Sequence, residues 1–243
     1  MLYAVMSDIH ANPWALETAL SDARDQGAEK FVCLGDVVGY GPDAVGAVKL
    51  AREVFDVVLM GNHDAATAGV ISSWNFRPEA RAGVLRHGRE LSGEDLKWLK
   101  GLPYVHRTRT FAAAHGSLAY PEEFPYVVDV ATAVEAFGAM GALQLLFVGH
   151  THAAMWIAME NGKGGVANRT LSLSLRTDCR YIVNVGSVGY PRNEQRIVYV
   201  LYDSRRKTVT WRRLPFDYAR YLAEMDAKKI FVAPWIRGDA KKA

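Results

Sequence analysis

The chain has 243 residues, half of them apolar, and a net charge of +3 at pH 7. This length and composition suit one α/β domain with a sizeable core, and we expect a single domain over residues 1–243. The net charge is too small to indicate a nucleic-acid or membrane partner, because either would need a concentrated basic surface.

Several features of the sequence favour a cytoplasmic protein. The N-terminus has no basic segment followed by a long apolar run, so it does not resemble a signal peptide. No apolar run approaches the roughly 18 residues that a membrane helix needs. The two cysteines, Cys33 and Cys179, do not make a disulfide framework, and Cys33 lies within an apolar run that predicts a reduced core residue.

The first part of the chain alternates between strands and helices. Asn12-Pro13 predicts the start of a helix that ends near Gly27, and residues 44–55 predict a second helix. Strands are predicted at 1–6, 31–34 and 57–60. This βαβαβ order predicts parallel strands whose carboxyl ends share one crevice.

The remaining elements are less regular. Further helices are predicted at 79–91, from the cap at Ser92 to Gly101, and at 131–140. Strands are predicted near 104–114, 144–149, 180–185, 196–203 and 207–214, with the last two forming a hairpin. The glycines of residues 160–170 predict a flexible turn there.

Five apolar runs end in residues that can bind metal ions. The motifs are Asp8-Ile9-His10, Gly35-Asp36, Gly61-Asn62-His63-Asp64, His115-Gly116 and Gly149-His150-Thr151-His152. Taken singly they are weak: Gly-Asp is ordinary turn chemistry, and Asp-x-His more often combines a turn aspartate with a surface histidine. In combination they predict a binuclear metal site, because all histidines except His87 and His106 lie in them. Asn-His-Asp is expected on a loop after its strand.

The types of ligand indicate the metals and the reaction. Carboxylate, imidazole and amide groups suit divalent ions such as Mn²⁺, Fe²⁺, Zn²⁺ or Co²⁺, and no thiolate points to structural zinc. We expect two divalent ions, with manganese preferred and nickel or magnesium as further alternatives. Two ions bridged by one carboxylate can clamp a phosphoryl group and activate a bound water, which predicts hydrolysis of a phosphate ester.

The order and spacing of these motifs over residues 8–152 resemble the calcineurin-like metallophosphoesterase superfamily. The resemblance implies a four-layer αββα sandwich of two mixed sheets, with the metals at the strand carboxyl ends. It implies that one metal is held by Asp8, His10 and His152, the other by Asn62, His115 and His150, and that Asp36 bridges them. It also implies that His63 faces the substrate as a catalytic residue while Asp64 orients its ring; the alternative is a ligand or structural role for His63.

Details around the motifs resemble the small prokaryotic phosphodiesterase-type branch. Tyr40 stands where the branches acting on phosphoproteins or dinucleoside tetraphosphates carry an arginine, and Asp64 replaces the glutamate of phosphoprotein phosphatases. Residues 7–12 and 184–192 resemble the phosphodiesterase-type branch, although Tyr190 stands where a glutamine is usual. We therefore expect a phosphodiesterase acting on a small nucleotide-like substrate. A phosphomonoesterase and a dinucleoside polyphosphate hydrolase are the alternatives.

Arg192, Tyr40, Trp74 and Asn75 are the predicted substrate-binding residues. Arg192 follows a glycine-containing stretch and can pair with phosphate, but it can equally be solvated beside a tight turn. Trp74 or Phe76 can stack on a base or be buried in the core.

Two other classes of protein compete with this interpretation. A non-catalytic scaffold of the same fold, similar to the retromer scaffold subunit, would be favoured by a lost ligand or a lost His63, and none is lost. A nuclease would need a strongly basic groove.

Overall fold

The computed structural model describes residues 1–160, 162–192 and 195–239. The strands are β1 (Leu2–Met6), β2 (Lys30–Cys33), β3 (Val57–Val58), β4 (Val105–Arg107), β5 (Ala112–Ala114), β6 (Leu145–Val148), β7 (Met155–Glu160), β8 (Lys163–Asn168), β9 (Ser172–Ser174), β10 (Cys179–Asn184), β11 (Arg196–Asp203) and β12 (Thr208–Pro215). The helices are α1 (Pro13–Asp25), α2 (Ala44–Val54), α3 (Asn62–Thr67), α4 (Pro78–Glu90), α5 (Gly93–Lys100), α6 (Val130–Ala139), α7 (Tyr218–Ala227) and α8 (Pro234–Asp239), with a 3-10 turn at Pro121–Glu123.

The described strands form two six-stranded mixed sheets. The first has the order β3-β2-β1-β11-β12-β9 and the second β4-β5-β6-β10-β7-β8. As predicted, β1, β2 and β3 run parallel, with Met6 paired to Cys33 and Cys33 to Val58. In the second sheet β5, β6 and β10 are also parallel. The metal-binding motifs therefore follow the carboxyl ends of five of these strands, β1, β2, β3, β5 and β6.

The sheets stack face to face between helices, which confirms the four-layer αββα sandwich. Along β1, Ala4 and Met6 pack with α1 and α2, while Val5 points into the core between the sheets. Along β6, Phe147 joins the same intersheet core and Leu146 packs with α6 on the outer side. This alternation follows from the two-residue period of a strand, and it leaves both sheets buried on two faces.

Helix α1 is fixed at both ends. Asn12 caps it as predicted, accepting a hydrogen bond from the Ala15 amide at 3.1 Å. Near its other end, the Asp22 carboxylate accepts hydrogen bonds from the Tyr199 hydroxyl at 2.6 Å and from the Arg212 guanidinium at 2.7 and 2.9 Å. The hydrogen bonds from Arg212 keep the pKa of Asp22 below its usual value. These contacts lock α1 onto β11 and β12.

Three parts of the predicted pattern are wrong. The strand expected over 104–114 is a hairpin in which β4 and β5 are antiparallel. Residues 160–170, expected as a flexible turn, contain the last residue of β7 and the whole of β8, which pair as a hairpin, and Gly162 between them takes a left-handed φ of +73°. The loop expected at Asn62 is instead the first turn of α3.

The C-terminal part of the described chain packs on the domain. Val232, Ala233 and Ile236 belong to the core cluster that covers the first sheet, and Arg237 pairs with Asp226 on α7. Residues 240–243 lie outside the described residues. Among the helices that are described, none is both long and apolar enough to cross a membrane.

Candidate metal centre

The side chains predicted to bind metal converge at the carboxyl ends of the strands. Asp8 and His10 follow β1, Asp36 follows β2, Asn62 opens α3 after β3, His115 follows β5, and His150 and His152 follow β6. All except the half-buried Asn62 are buried. Buried charged and polar groups are costly unless they are paired, so such a cluster is stable only if its members bind one another or a metal ion.

The loops that carry these side chains have an unusual backbone. Left-handed φ values between +48° and +65° occur at Asp8, His10, Asp36, His150 and His152. Such conformations cost about 1–2 kcal/mol each for residues with a side chain. Hydrogen bonds between loops hold them: the Asp8 amide donates to the Gly35 carbonyl at 3.0 Å, and the His10 amide to the Asp36 carbonyl at 2.9 Å. The fold thus maintains strained turns that aim these side chains inward.

A first group of possible ligands consists of Asp8, His10 and His152. His152 Nε2 lies 3.2 Å from Asp8 Oδ1 and 3.1 Å from His10 Nε2. Two nitrogens bound to one tetrahedral ion at about 2.0–2.1 Å would be separated by about 3.3 Å, so this spacing fits a shared metal.

A second group consists of Asp36, His115 and His150. His115 Nε2 lies 3.3 Å from Asp36 Oδ2, and the same carboxylate oxygen lies 3.7 Å from His10 Nε2 of the first group. Asn62 Oδ1 and His115 Nε2 are buried without a hydrogen-bond partner among the described residues. Unsatisfied buried polar atoms are costly, and a metal ion would bind both atoms once His115 Nε2 has lost its proton.

Three of the histidines are oriented by backbone carbonyls. The Nδ1 atoms lie at hydrogen-bond distance from carbonyl oxygens in the pairs His10–Val38 (3.1 Å), His115–Leu34 (3.1 Å) and His152–Tyr190 (2.7 Å). A carbonyl only accepts, so Nδ1 carries a proton in each ring, and Nε2 is the nitrogen that can bind a metal ion. These hydrogen bonds orient the rings as metal-binding histidines require.

The electrostatics of the site also suit metal binding. Burial lowers the pKa of His10 well below its usual value and that of His150 to about 3, which keeps both rings in the neutral, ligating form. Burial raises the pKa of Asp36, but His115 and His63 outweigh it and hold the carboxyl ionised. Burial likewise opposes protonation of His115, but Asp36 outweighs it and raises the pKa of His115 to about 9. Metal binding must therefore displace a proton from this pair.

His63 lies in the first turn of α3 beside the second group. Its Nε2 is 4.0 Å from Asp36 Oδ2, and its amide donates to Asp36 Oδ1 at 2.8 Å. Its ring packs against Tyr40 and Phe76, with centroids at 4.7 and 5.2 Å. Burial lowers the pKa of His63 to about 4, so the ring is neutral at pH 7.

The expectation that Asp64 orients the His63 ring is wrong. The Asp64 carboxylate accepts hydrogen bonds from the amides of Val38 and Gly61, both at 3.1 Å. His63 Nδ1 has no hydrogen-bond partner among the described residues. Asp64 therefore joins the loop after β2 to the loop after β3, and packing with Tyr40 holds the His63 ring.

The predicted substrate-binding residues fall into two places. Tyr40 is buried, stacks on Tyr190 at 4.1 Å and accepts a hydrogen bond from Arg192 at 3.2 Å, next to His10. Trp74 is 73% exposed, and the Cζ atom of Arg81 lies 4.9 Å from the centroid of its indole ring. Asn75 is exposed in the same segment. The aromatic residue of this segment that contacts His63 is Phe76.

Two further residues beside the centre were not predicted. His87 accepts from the Gly39 amide at 2.9 Å and contacts the Gly41 carbonyl at 3.0 Å, which pins the turn that carries Tyr40. Tyr126 stacks on His150 at 3.9 Å. Both lie outside the metal motifs, and Tyr126 is in an irregular segment without periodicity, so no local pattern indicated them.

A sizeable cavity lies away from this centre. A groove of about 680 Å³ lies between α2 and α5, lined by residues that include Arg52, Trp98 and Leu102. It contains none of the metal-binding side chains, so volume alone would misplace the site. The chemistry of the strand ends identifies it instead.

Two sheets between helix layers, with carboxylate–histidine groups at the strand ends, define the class of metal-dependent α/β-sandwich hydrolases. A family model described as the calcineurin-like phosphoesterase superfamily domain matches residues 1–207, and the chain belongs to this superfamily. The predicted family is confirmed, and the chain is a metallophosphoesterase-superfamily hydrolase with a candidate centre for two divalent ions.

Relatives agree with this assignment. An uncharacterized protein of Methanocaldococcus jannaschii is 30% identical over 222 residues, covering 89% of this chain and 88% of the relative. The crystal structure of a metallophosphoesterase from Sphaerobacter thermophilus matches with a TM-score of 0.82 and 30% identity, covering 97% of this chain and 96% of the other. A hypothetical protein from Pyrococcus horikoshii has the same fold, with a TM-score of 0.75, 18% identity, and coverage of 97% and 95%.

Proposed function

We propose that the protein is a phosphodiesterase that uses two divalent ions, manganese by preference, to hydrolyse a small nucleotide-like substrate. The observation that carries this proposal is the position of Asp36. Its Oδ2 atom lies within 3.7 Å of a histidine nitrogen from each of the two ligand groups, as a bridging carboxylate must. When bound, two ions would clamp the phosphoryl group and lower the pKa of a bound water.

Some side chains of the site would bind the ions and others would contact the substrate. Asp8, His10 and His152 would hold one ion and Asn62, His115 and His150 the other. His63, which also groups with His10 and Asp36, would act on the substrate: its Nε2 lies 4.0 Å from Asp36 Oδ2, near the place where the phosphoryl group would lie. As a neutral ring it would donate one hydrogen bond to a phosphoryl oxygen or to the leaving oxygen, where charge grows during hydrolysis.

Charge near the centre favours a diester over a monoester. A diester carries one negative charge on its phosphate, whereas a monoester near neutral pH carries close to two. Where related branches place an arginine, this chain places the neutral phenol of Tyr40, stacked beside His10. Arg192 remains close by, but it donates a hydrogen bond to that phenol. A less positive site gains less from the second charge of a monoester, so it favours the monoester over the diester less strongly.

The test compares hydrolysis of bis-p-nitrophenyl phosphate with that of p-nitrophenyl phosphate by apo protein and by protein loaded with Mn²⁺, Fe²⁺, Zn²⁺, Co²⁺, Ni²⁺ or Mg²⁺. We expect metal-dependent cleavage of the diester, fastest with Mn²⁺, that is lost in His63→Ala and in Asp36→Asn. His106→Ala is the matched control, because His106 is partly exposed and lies outside the site.

Other outcomes would redirect the proposal. Preference for the monoester would make the protein a phosphatase on the same site. Cleavage of dinucleoside polyphosphates in preference to both would favour that substrate class. Metal binding without turnover of any of these compounds would favour the scaffold interpretation.

A further inference from the structure

Tyr126 occupies an irregular segment between β5 and α6, just after the 3-10 turn at Pro121–Glu123. Its ring lies nearly parallel to the ring of His150, with centroids 3.9 Å apart and an angle of 22° between the planes. The residue is nevertheless 55% exposed. One face of the phenol therefore rests on a candidate metal ligand, while much of the remaining ring surface is open to solvent.

An exposed aromatic ring that is held in place suits ligand binding. Stacking on His150 fixes the ring, so little conformational entropy is lost when a second ring stacks on it. Stacking of a base on an aromatic side chain depends little on sequence, because every base has a π-face. Because the ring rests on His150, Tyr126 lies beside the second ligand group.

We propose that Tyr126 is a specificity-determining residue, on whose ring a planar group of the substrate, a nucleobase or an aryl group, stacks. This inference rests on the proposed function and deepens it: the phosphoryl group would lie at the metals, and the organic group would extend over Tyr126. The site would then prefer phosphate esters that carry a ring near the phosphorus over purely aliphatic ones.

A purely structural role makes different predictions. His10, His115 and His152 are oriented by backbone carbonyls, whereas among the described residues no carbonyl contacts a ring nitrogen of His150. Tyr126 would then act only to orient His150. Loss of the ring would lower metal binding and weaken all ligands equally, whether or not they carry a ring.

Binding of phenylphosphonate and of methylphosphonate to the metal-loaded protein, measured by calorimetry, separates the two roles. Tyr126→Leu should lower the affinity for phenylphosphonate by about tenfold, which is about 1.4 kcal/mol of binding free energy, and leave the affinity for methylphosphonate unchanged. Tyr126→Phe should retain the preference, because it keeps the ring. Tyr120→Leu is the matched control, since Tyr120 is 58% exposed in the same segment.

Metal content is measured in each variant. Equal weakening of both phosphonates together with loss of metal would overturn the proposal in favour of the structural role, and an unchanged ring preference would overturn it outright. The assay needs no turnover, so it remains informative if the protein hydrolyses neither nitrophenyl ester. In that case the proposed function fails while the ring preference is still tested.

Discussion

Asp64→Asn distinguishes a structural from a catalytic role for this carboxylate. Asp64 is fully buried, and its two oxygens each accept a hydrogen bond from an amide, of Val38 and of Gly61. The asparagine can accept only one of these bonds and turns an NH₂ group toward the other amide. An unsatisfied buried donor costs about 1–3 kcal/mol. We expect the free energy of unfolding to fall by about 2 kcal/mol.

Thermal unfolding followed by circular dichroism measures this change. For a chain of this size, about 2 kcal/mol corresponds to a fall in Tm of about 4–8 °C. Burial and Asp36 raise the pKa of Asp64 to about 7, so ionisation of this carboxyl costs stability as pH rises through 7, and the comparison is made at a pH below that value. Asp25→Asn on the exposed end of α1 makes the same substitution without breaking a buried hydrogen bond and should leave Tm nearly unaltered. A variant with an unchanged Tm but a greatly reduced kcat would refute the reasoning and restore a direct role for Asp64 at His63.

Two further predictions follow from other contacts. Asp22→Asn should reduce stability by about 1–2 kcal/mol at neutral pH, because the carboxylate holds Arg212 and Tyr199. The folded pKa of Asp22 is lowered, so this contribution is present above the unfolded pKa and is lost as pH falls through the folded pKa; urea unfolding at a series of pH values checks it, and a difference that persists in strong acid would contradict it. Gly61→Ala should abolish metal binding, because a Cβ at Gly61 would overlap the Asp36 carboxylate. Retention of metal by a folded Gly61→Ala variant, measured by mass spectrometry, would be the opposite result.

The sequence predicted the architecture where hydrophobic period and strand order were sufficient. Apolar runs that end in Asp8, Asp36 and Asn62, separated by capped helices, required parallel strands with a common edge, and the structure has them. The ligand residues could be found because polar side chains at the ends of buried strands need a shared partner. The order of the elements and the residue types at the strand ends were enough for both predictions.

Features that depend on pairing or tertiary contact were not predicted. Residues 163–168 form β8 because β7 offers a pairing edge, although Gly164 and Gly165 favour a turn. The hydrogen bonds of Asp64 connect two loops, so residue identity alone suggested the neighbouring histidine as its partner. Tyr126 meets His150 only after the whole second sheet has formed.

Metal stoichiometry tests the central claim most directly. The chain is loaded with Mn²⁺, freed of unbound ion by gel filtration, and analysed by plasma mass spectrometry beside Asp36→Asn and the control Asp25→Asn. A bridging Asp36 predicts about two ions per chain in the wild type and in the control, and about one or fewer in Asp36→Asn. One ion per wild-type chain, or two ions retained by Asp36→Asn, would contradict a binuclear centre bridged by Asp36.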